Sequence, residues 1–407
     1  MKFRGFHLLA MILILTMMVL GCSSGNENGG TSNSAAGDTG SPSQSSGNND
    51  GSSGEAPKER TKLTVISWWD FTQSEPLQKL KAAFEEKNPD LELEFTMVGA
   101  SEYYDKLLTT IAGGGDLPDV VMLAMDRIPM FADRGAIIPL DGYADQEYLD
   151  SLYPVVLEAT TFNGQVVAVA RDISSKVMYL NKKMFDDAGV ALPEADWTWD
   201  EFVDIARQLT KDGQWGFYFP KYMDGFTHWL VANEGGLATR DGESQLGLPQ
   251  SREMLQKLHD LIHVEKVVPT DSQASQFGSG VEAPFIAGKA AMVAGSLSST
   301  VAFNNADVEF AIRPLPKVKI SANTSFVNAW AIPKGAKNPD LSWRVLEFFS
   351  SKEGQQIVLD TGMGLPASTG VDTTAFLAQH PDYVHLLESL NTSVPFPAPI
   401  HGAAFFA

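Results

Sequence analysis

The chain has 407 residues, a formal net charge of −20 and one cysteine, Cys22. The length fits two domains or one large one. The acidic balance, with no offsetting basic patch, argues against nucleic acid as a partner, and the lone Cys22 excludes an internal disulfide, a CxxC metal site and a cysteine nucleophile in the folded body.

Lys2 and Arg4 precede an apolar run from Leu8 to Leu20, interrupted only by Thr16. Thirteen helical residues reach about 20 Å, short of the roughly 30 Å hydrocarbon core of a bilayer. A basic start, a short apolar core and small residues after it read as a signal peptide over residues 1–21. Val19-Leu-Gly-Cys22 resembles the bacterial lipobox, which implies cleavage after Gly21 and a lipid anchor on Cys22. Residues 22–60 are dominated by Ser, Gly, Asn, Asp, Thr and Ala, with no aromatic residue and no Leu, Ile, Val or Met. Such a segment buries too little apolar surface to offset its ordering entropy and is expected to be a tether.

The folded body is expected to start with a strand at Leu63–Trp69. Ser74-Glu75-Pro76 opens a helix with proline in its first turn, Leu77, Leu80 and Phe84 give it an apolar stripe, and Asn88-Pro89 stops it. A strand at Leu91–Val98, a helix at Tyr103–Ala112 and a buried strand at Asp119–Ala124 follow. This βαβαβ order predicts a largely parallel sheet flanked by helices. Asn163-Gly164 marks a hairpin. Val177–Leu180 is a strand, and Thr198-x-x-Glu201 is a capping box for a helix to Leu209. Further strands are expected at Trp215–Phe219, Ala290–Ala294, Val308–Ile312 and Phe326–Ile332, with helices at Arg252–Val264 and Leu341–Phe349.

Several segments resemble, in order, the sugar-binding branch of the extracellular solute-binding lipoproteins of ABC transporters. They are Gly113-Gly-Gly-Asp-Leu-Pro-Asp119, Met178-Tyr-Leu-Asn-Lys-Lys-Met-Phe185, Asp187-Ala-Gly-Val190 with Trp197-Thr-Trp-Asp-Glu-Phe202, Phe285-Ile-Ala-Gly-Lys-Ala-Ala-Met292, Ala331–Pro339 and Gly364-Leu-Pro366. The resemblance implies a two-lobe α/β fold of the periplasmic-binding-protein type, each lobe a mixed or mostly parallel sheet with flanking helices. The solute then lies in the cleft between lobes. Lobe 1 is expected to take residues 61–171 and 313–362, and lobe 2 residues 172–312 and 363–407, with crossings near Ala170–Ser174, Ile312–Pro316 and Gly362–Pro366. Residues 363–407 would finish lobe 2 in an unusual way, with Phe405 and Phe406 either closing its core or lying exposed.

Sugars are held by aromatic faces against their CH surfaces and by polar groups that bond their hydroxyls. Ligands of open α/β sheets lie beyond the carboxyl ends of strands. On these grounds Trp69 or Asp70 after the first strand is expected to reach the ligand; the resemblance further implies Asp126 and Arg127, Arg171 and Asp172 at the first crossing, Trp229 and Asn233, and Ser296, with Asn328 and Trp330 near the second crossing. For Asp126–Arg127 a solvated charged pair, for Arg171–Asp172 a hinge ion pair, and for Trp330 a core position, stand as alternatives. Trp197 and Trp199 are expected to pack the helix start rather than the site. No GxSxG, HExxH, P-loop or GxGxxG pattern occurs, and His259 and His263 do not form HExxH. No catalysis, no cofactor and no metal are expected. The expected partners are a sugar, the permease of an importer and a membrane reached through Cys22, with the chain a monomer outside the cell. An exported glycosidase, or a binder of a non-sugar solute, is the alternative.

Overall fold

The structure, a computed structural model, describes residues 60–278 and 280–400. The expected signal peptide, Cys22, nearly all of the expected tether and Phe405–Phe406 therefore lie outside the described residues.

Twelve strands are described. β1 (Thr61–Ser67), β2 (Leu91–Met97) and β3 (Val120–Ala124) come first. The hairpin strands β4 (Thr161–Phe162) and β5 (Gln165–Val166) precede β6 (Val169–Ser175), β7 (Val177–Asn181) and β8 (Trp215–Tyr218). β9 (Ala290–Gly295), β10 (Phe310–Arg313), β11 (Asn323–Ala331) and β12 (Ser393–Pro395) complete the set.

The first sheet has six strands, in the order β12-β11-β3-β1-β2 with β6 also paired to β11. Here β1 is parallel to β2 and β3, as the strand–helix alternation predicts. The helix Glu75–Lys87 begins with Pro76 and buries Leu77, Leu80 and Phe84 in the same core as Leu63 and Val65 of β1. Each such side chain contributes roughly 1.5–3 kcal/mol by leaving water. Phe84 meets Phe348 and Phe349 of the helix Pro339–Ser350 edge-on, at 5.8 and 6.4 Å.

The second sheet runs β10-β7-β9-β8. It is the mixed case of the expected mixed or mostly parallel sheet: β7 is antiparallel to both β9 and β10, and only β8 and β9 are parallel. β7 follows β6 through Lys176 alone. No crossover helix sets its direction, whereas a parallel neighbour requires one. The capping box Thr198–Glu201 opens the helix Trp199–Leu209, whose Phe202 packs on Phe217 of β8 at 5.0 Å. The contact is tight enough that a Cβ on Gly216 would fall 2.0 Å from the Ala206 carbonyl oxygen.

The connections between sheets differ from expectation. All of β6 belongs to the first sheet, so residues 172–175 do too, and the first crossing is at Lys176. The second spans 314–322, between β10 and β11. Leu365 exchanges backbone hydrogen bonds with Ile173 of β6 at 3.0 and 3.1 Å, and Thr369 N donates to Ser151 O. After visiting the second sheet at Asp382, which accepts from Ile312 N, the chain returns: β12 pairs with β11. Residues 363–407 thus do not all finish lobe 2. Asn323 explains the return, because its Oδ1 accepts from both Ser175 Oγ and Ser393 Oγ and gathers β6, β11 and β12 at one point.

Candidate functional site

Where the two sheets meet, a cavity of about 420 Å³ opens between them. Ser174 of β6 and Thr324, Ser325 and Phe326 of β11 form its first-lobe wall, with Phe396 just after β12. The opposite wall comes from three places in the second lobe. The loop after β8 and the start of the helix Met223–Ala232 supply Tyr222, Asp224 and His228. The turn before the helix Glu282–Ile286 supplies Glu282. The end of β9 supplies Gly295 and Ser296. Each second-lobe wall lies at a strand's carboxyl end or at a helix start.

Tyr222 is 48% exposed, a large aromatic left open in the cleft. Asp224 Oδ2 accepts from Lys176 Nζ at 2.7 Å, and Glu282 Oε1 accepts from Ser299 Oγ at 2.7 Å. Tyr179 of β7 donates its hydroxyl to Ser296 O at 2.7 Å and so fixes the end of β9. Burial pushes the His228 imidazole down to about 3, with Lys176 adding to the shift.

A second patch borders the first along β11. Phe326 and Asn328 are two residues apart on one strand and share a face. Asn328 Nδ2 donates to Asp172 Oδ1 at 3.1 Å, while Asp172 Oδ2 pairs with Arg171 Nε. The pairing of β6 with β11 shifts register at Asn328/Ala329, leaving Arg171 unmatched. A bulge of this kind re-aims a side chain and lets the adjacent Arg171 and Asp172 meet. The Arg171 guanidinium also lies 4.0 Å from the centre of the Trp69 ring. Arg127 lies over Tyr104 at 5.1 Å and pairs with Asp126 at 3.2 Å; desolvation raises the Asp126 carboxyl above its ordinary value, with Arg127 opposing.

The expected residues therefore divide. Ser296 lines the cavity. Trp69, Asp126 and Arg127 stand half-buried just past strand ends of the first lobe, and Asn328 stands half-buried within β11. Asp70 is exposed and engaged in a turn with Thr72. Arg171 and Asp172 are only 1% and 3% exposed, with their charges turned on each other as an ion pair inside the first sheet. Trp330 is 0% exposed against Phe349. Trp229 is equally buried among Trp199, Phe202 and Phe217. Both are packing residues here, because their strand or helix turns them into a core. Asn233 is buried as well, donating to Gln250 O and Glu253 Oε2, so it ties two helices together. Trp197 and Trp199 pack as expected, with Trp197 Nε1 donating to Pro314 O. The rings of His259 and His263 lie tilted to each other with centres 4.4 Å apart on one helix, and no cluster of metal-ligating side chains occurs among the described residues.

Sequence reasoning missed Lys176, Tyr222, Asp224, His228 and Glu282. The signal for two of them was present: Tyr222 and Asp224 closely follow the strand expected at Trp215–Phe219. Lys176, His228 and Glu282 carried no local signal.

The family of bacterial extracellular solute-binding proteins matches residues 79–384. A binding protein of Brucella abortus is 24% identical over 75% of this chain and 78% of its own. A maltooligosaccharide ABC transporter solute-binding lipoprotein of Streptococcus pneumoniae is 25% identical over 63% of this chain and 61% of its own. Among solved structures, an ABC substrate-binding protein of Listeria monocytogenes in complex with cycloalternan superposes with a TM-score of 0.74. It is 25% identical and covers 85% of this chain and 90% of that one.

Proposed function

Because the chain belongs to the bacterial extracellular solute-binding proteins, we propose that it is the sugar-capturing component of an ABC importer, handing its solute to a membrane permease. The family is one of binding proteins rather than enzymes, which removes the glycosidase alternative. The observation that carries the sugar reading is the cleft itself. It offers one open aromatic face, Tyr222, among a ring of hydroxyls and carboxylates, the two devices by which sugars are held. The carbohydrates named for the Streptococcus and Listeria relatives support the same class.

Tyr222, Asp224, Glu282 and Ser296 form the second-lobe side of this site, and Trp69, Asp126, Arg127 and Asn328 extend it along the first lobe. Residues 60–175 and 323–369 make up most of the first lobe. Binding of solute shifts an open–closed equilibrium by its differential affinity for the two states. The chain acts as a monomer, anchored through a lipid on Cys22 to the outer face of a single-membrane cell. In support, one relative is a lipoprotein of Streptococcus pneumoniae.

Thermal-shift screening of the purified chain over a panel of mono- and oligosaccharides tests the proposal, since a ligand that binds only the folded state raises its apparent stability. At least one sugar is expected to raise the midpoint in a dose-dependent way; a flat response to the whole panel refutes it. Palmitate labelling that persists in Cys22→Ser would refute the anchor.

A further inference from the structure

The titratable groups that line the cleft, tyrosine aside, are Lys176, Asp224, His228 and Glu282 among the described residues. They do not contribute equally to its charge. Lys176 is already answered by Asp224 at 2.7 Å. His228 is 1% exposed and neither ring nitrogen has a hydrogen-bond partner; desolvation keeps the ring neutral at ordinary pH. Glu282 is held by the Ser299 hydroxyl, and no cation pairs with it among the described residues. Its Oε2 leans toward Gly280, where a Cβ would come within 2.6 Å. The remaining polar wall is uncharged: Ser174, Ser296, Ser298, Thr324 and Ser325. The side-chain oxygens of Thr324 and Ser325 are buried without a partner. No arginine lines this cavity among the described residues.

We infer that the cleft selects its solute by charge, admitting uncharged sugars and rejecting those that carry a carboxylate or phosphate, with Glu282 as the discriminating residue. The inference rests on the sugar reading above and sharpens it. A hydroxylated ring suits this lining, because hydroxyls both donate and accept and can satisfy carboxylate, serine, threonine and neutral imidazole alike. An anion meets no unpaired cation to replace its lost hydration, since Lys176 is answered by Asp224 and, along the first lobe, Arg127 by Asp126. It also meets the Glu282 charge: at a separation of about 6 Å and an effective dielectric near 20, the repulsion corresponds to roughly a hundredfold in affinity. Solvent reaching the open side of the cleft lowers this toward tenfold.

Isothermal titration of the full chain tests the inference at pH 7. Each neutral sugar that binds is compared with its uronic acid and its sugar phosphate. The anionic forms are expected to bind at least tenfold more weakly, and Glu282→Gln is expected to narrow that gap severalfold. Glu282→Asp, which keeps the charge, is expected to preserve it, and it guards against a Gln variant that folds poorly. A uronate or sugar phosphate bound as tightly as its neutral parent overturns the charge selection while leaving the sugar reading intact. An unchanged ratio in Glu282→Gln overturns the role of that residue. Failure of every sugar, neutral or anionic, overturns both.

Discussion

Replacing Asp172 by alanine is expected to destabilise the protein severely, because it strands the charge of Arg171 inside the fold. Arg171 is buried, is paired with Asp172 and has one terminal nitrogen with no partner even in the intact protein. Removing one member of a buried ion pair costs about 3–5 kcal/mol, since the other charge is left without compensation. Asn328 loses the acceptor it reaches at 3.1 Å, which adds about 1 kcal/mol. The total, about 4–6 kcal/mol, approaches the whole stability of an ordinary domain at ~5–15 kcal/mol. Urea unfolding monitored by circular dichroism is the assay, with the midpoint expected to fall at constant slope. Arg171→Met combined with Asp172→Ala removes both charges and is expected to recover most of the loss. A single-variant cost below about 1 kcal/mol, or a double variant no better than the single one, would refute the account of a desolvated, mutually dependent pair.

Tyr222→Ala is expected to weaken sugar binding about tenfold or more through loss of its aromatic face, with little change in unfolding midpoint because the ring is half exposed; an unchanged dissociation constant by calorimetry would remove it from the site. His228 has its folded pKa depressed from 6.5 to about 3. The unfolded chain therefore binds the extra proton between those values, and stability is fully present above pH 6.5 and declines by about 1.4 kcal/mol per pH unit as pH falls toward 3. His228→Gln should flatten this part of the acid limb in urea titrations at pH 4.5 and 7, and an unaltered slope would assign the acid limb to other groups. Gly216→Ala should cost about 2 kcal/mol or more, because its Cβ would overlap the Ala206 backbone rather than a movable side chain; a stability equal to the parent's would show that β8 and the helix Trp199–Leu209 slide apart freely.

Much of the fold was legible in the sequence where one element follows another locally. The proline-started helix at Glu75, the capping box at Thr198 and the apolar runs of β1 to β3 carry their own signals, and they lie within a residue or two of the expected places. Strand direction in the second sheet was not legible, because it depends on how the chain enters from the first lobe through Lys176. The same limit applies to the site. Trp229 and Trp330 have the right residue type for stacking on a sugar, but residue type does not say which face of a helix or strand looks inward. Arg171 and Asp172 meet across a bulge that only the pairing with β11 creates. Tyr222 and Asp224 were within reach of the strand-end rule, since β8 had been located; Glu282 was not, because a charged residue at the start of a short helix looks like any solvated one.

The position of β11 has a consequence for the order of events on the ribosome. This strand hydrogen-bonds β3, β6 and β12, yet it is made ~150 residues after β6. At roughly 5–20 residues per second, β3 and β6 wait on the order of ten seconds or more, their edges unmated, before the strand that joins them exists. The first half of the nascent chain thus remains open to handling by other factors until synthesis is well advanced.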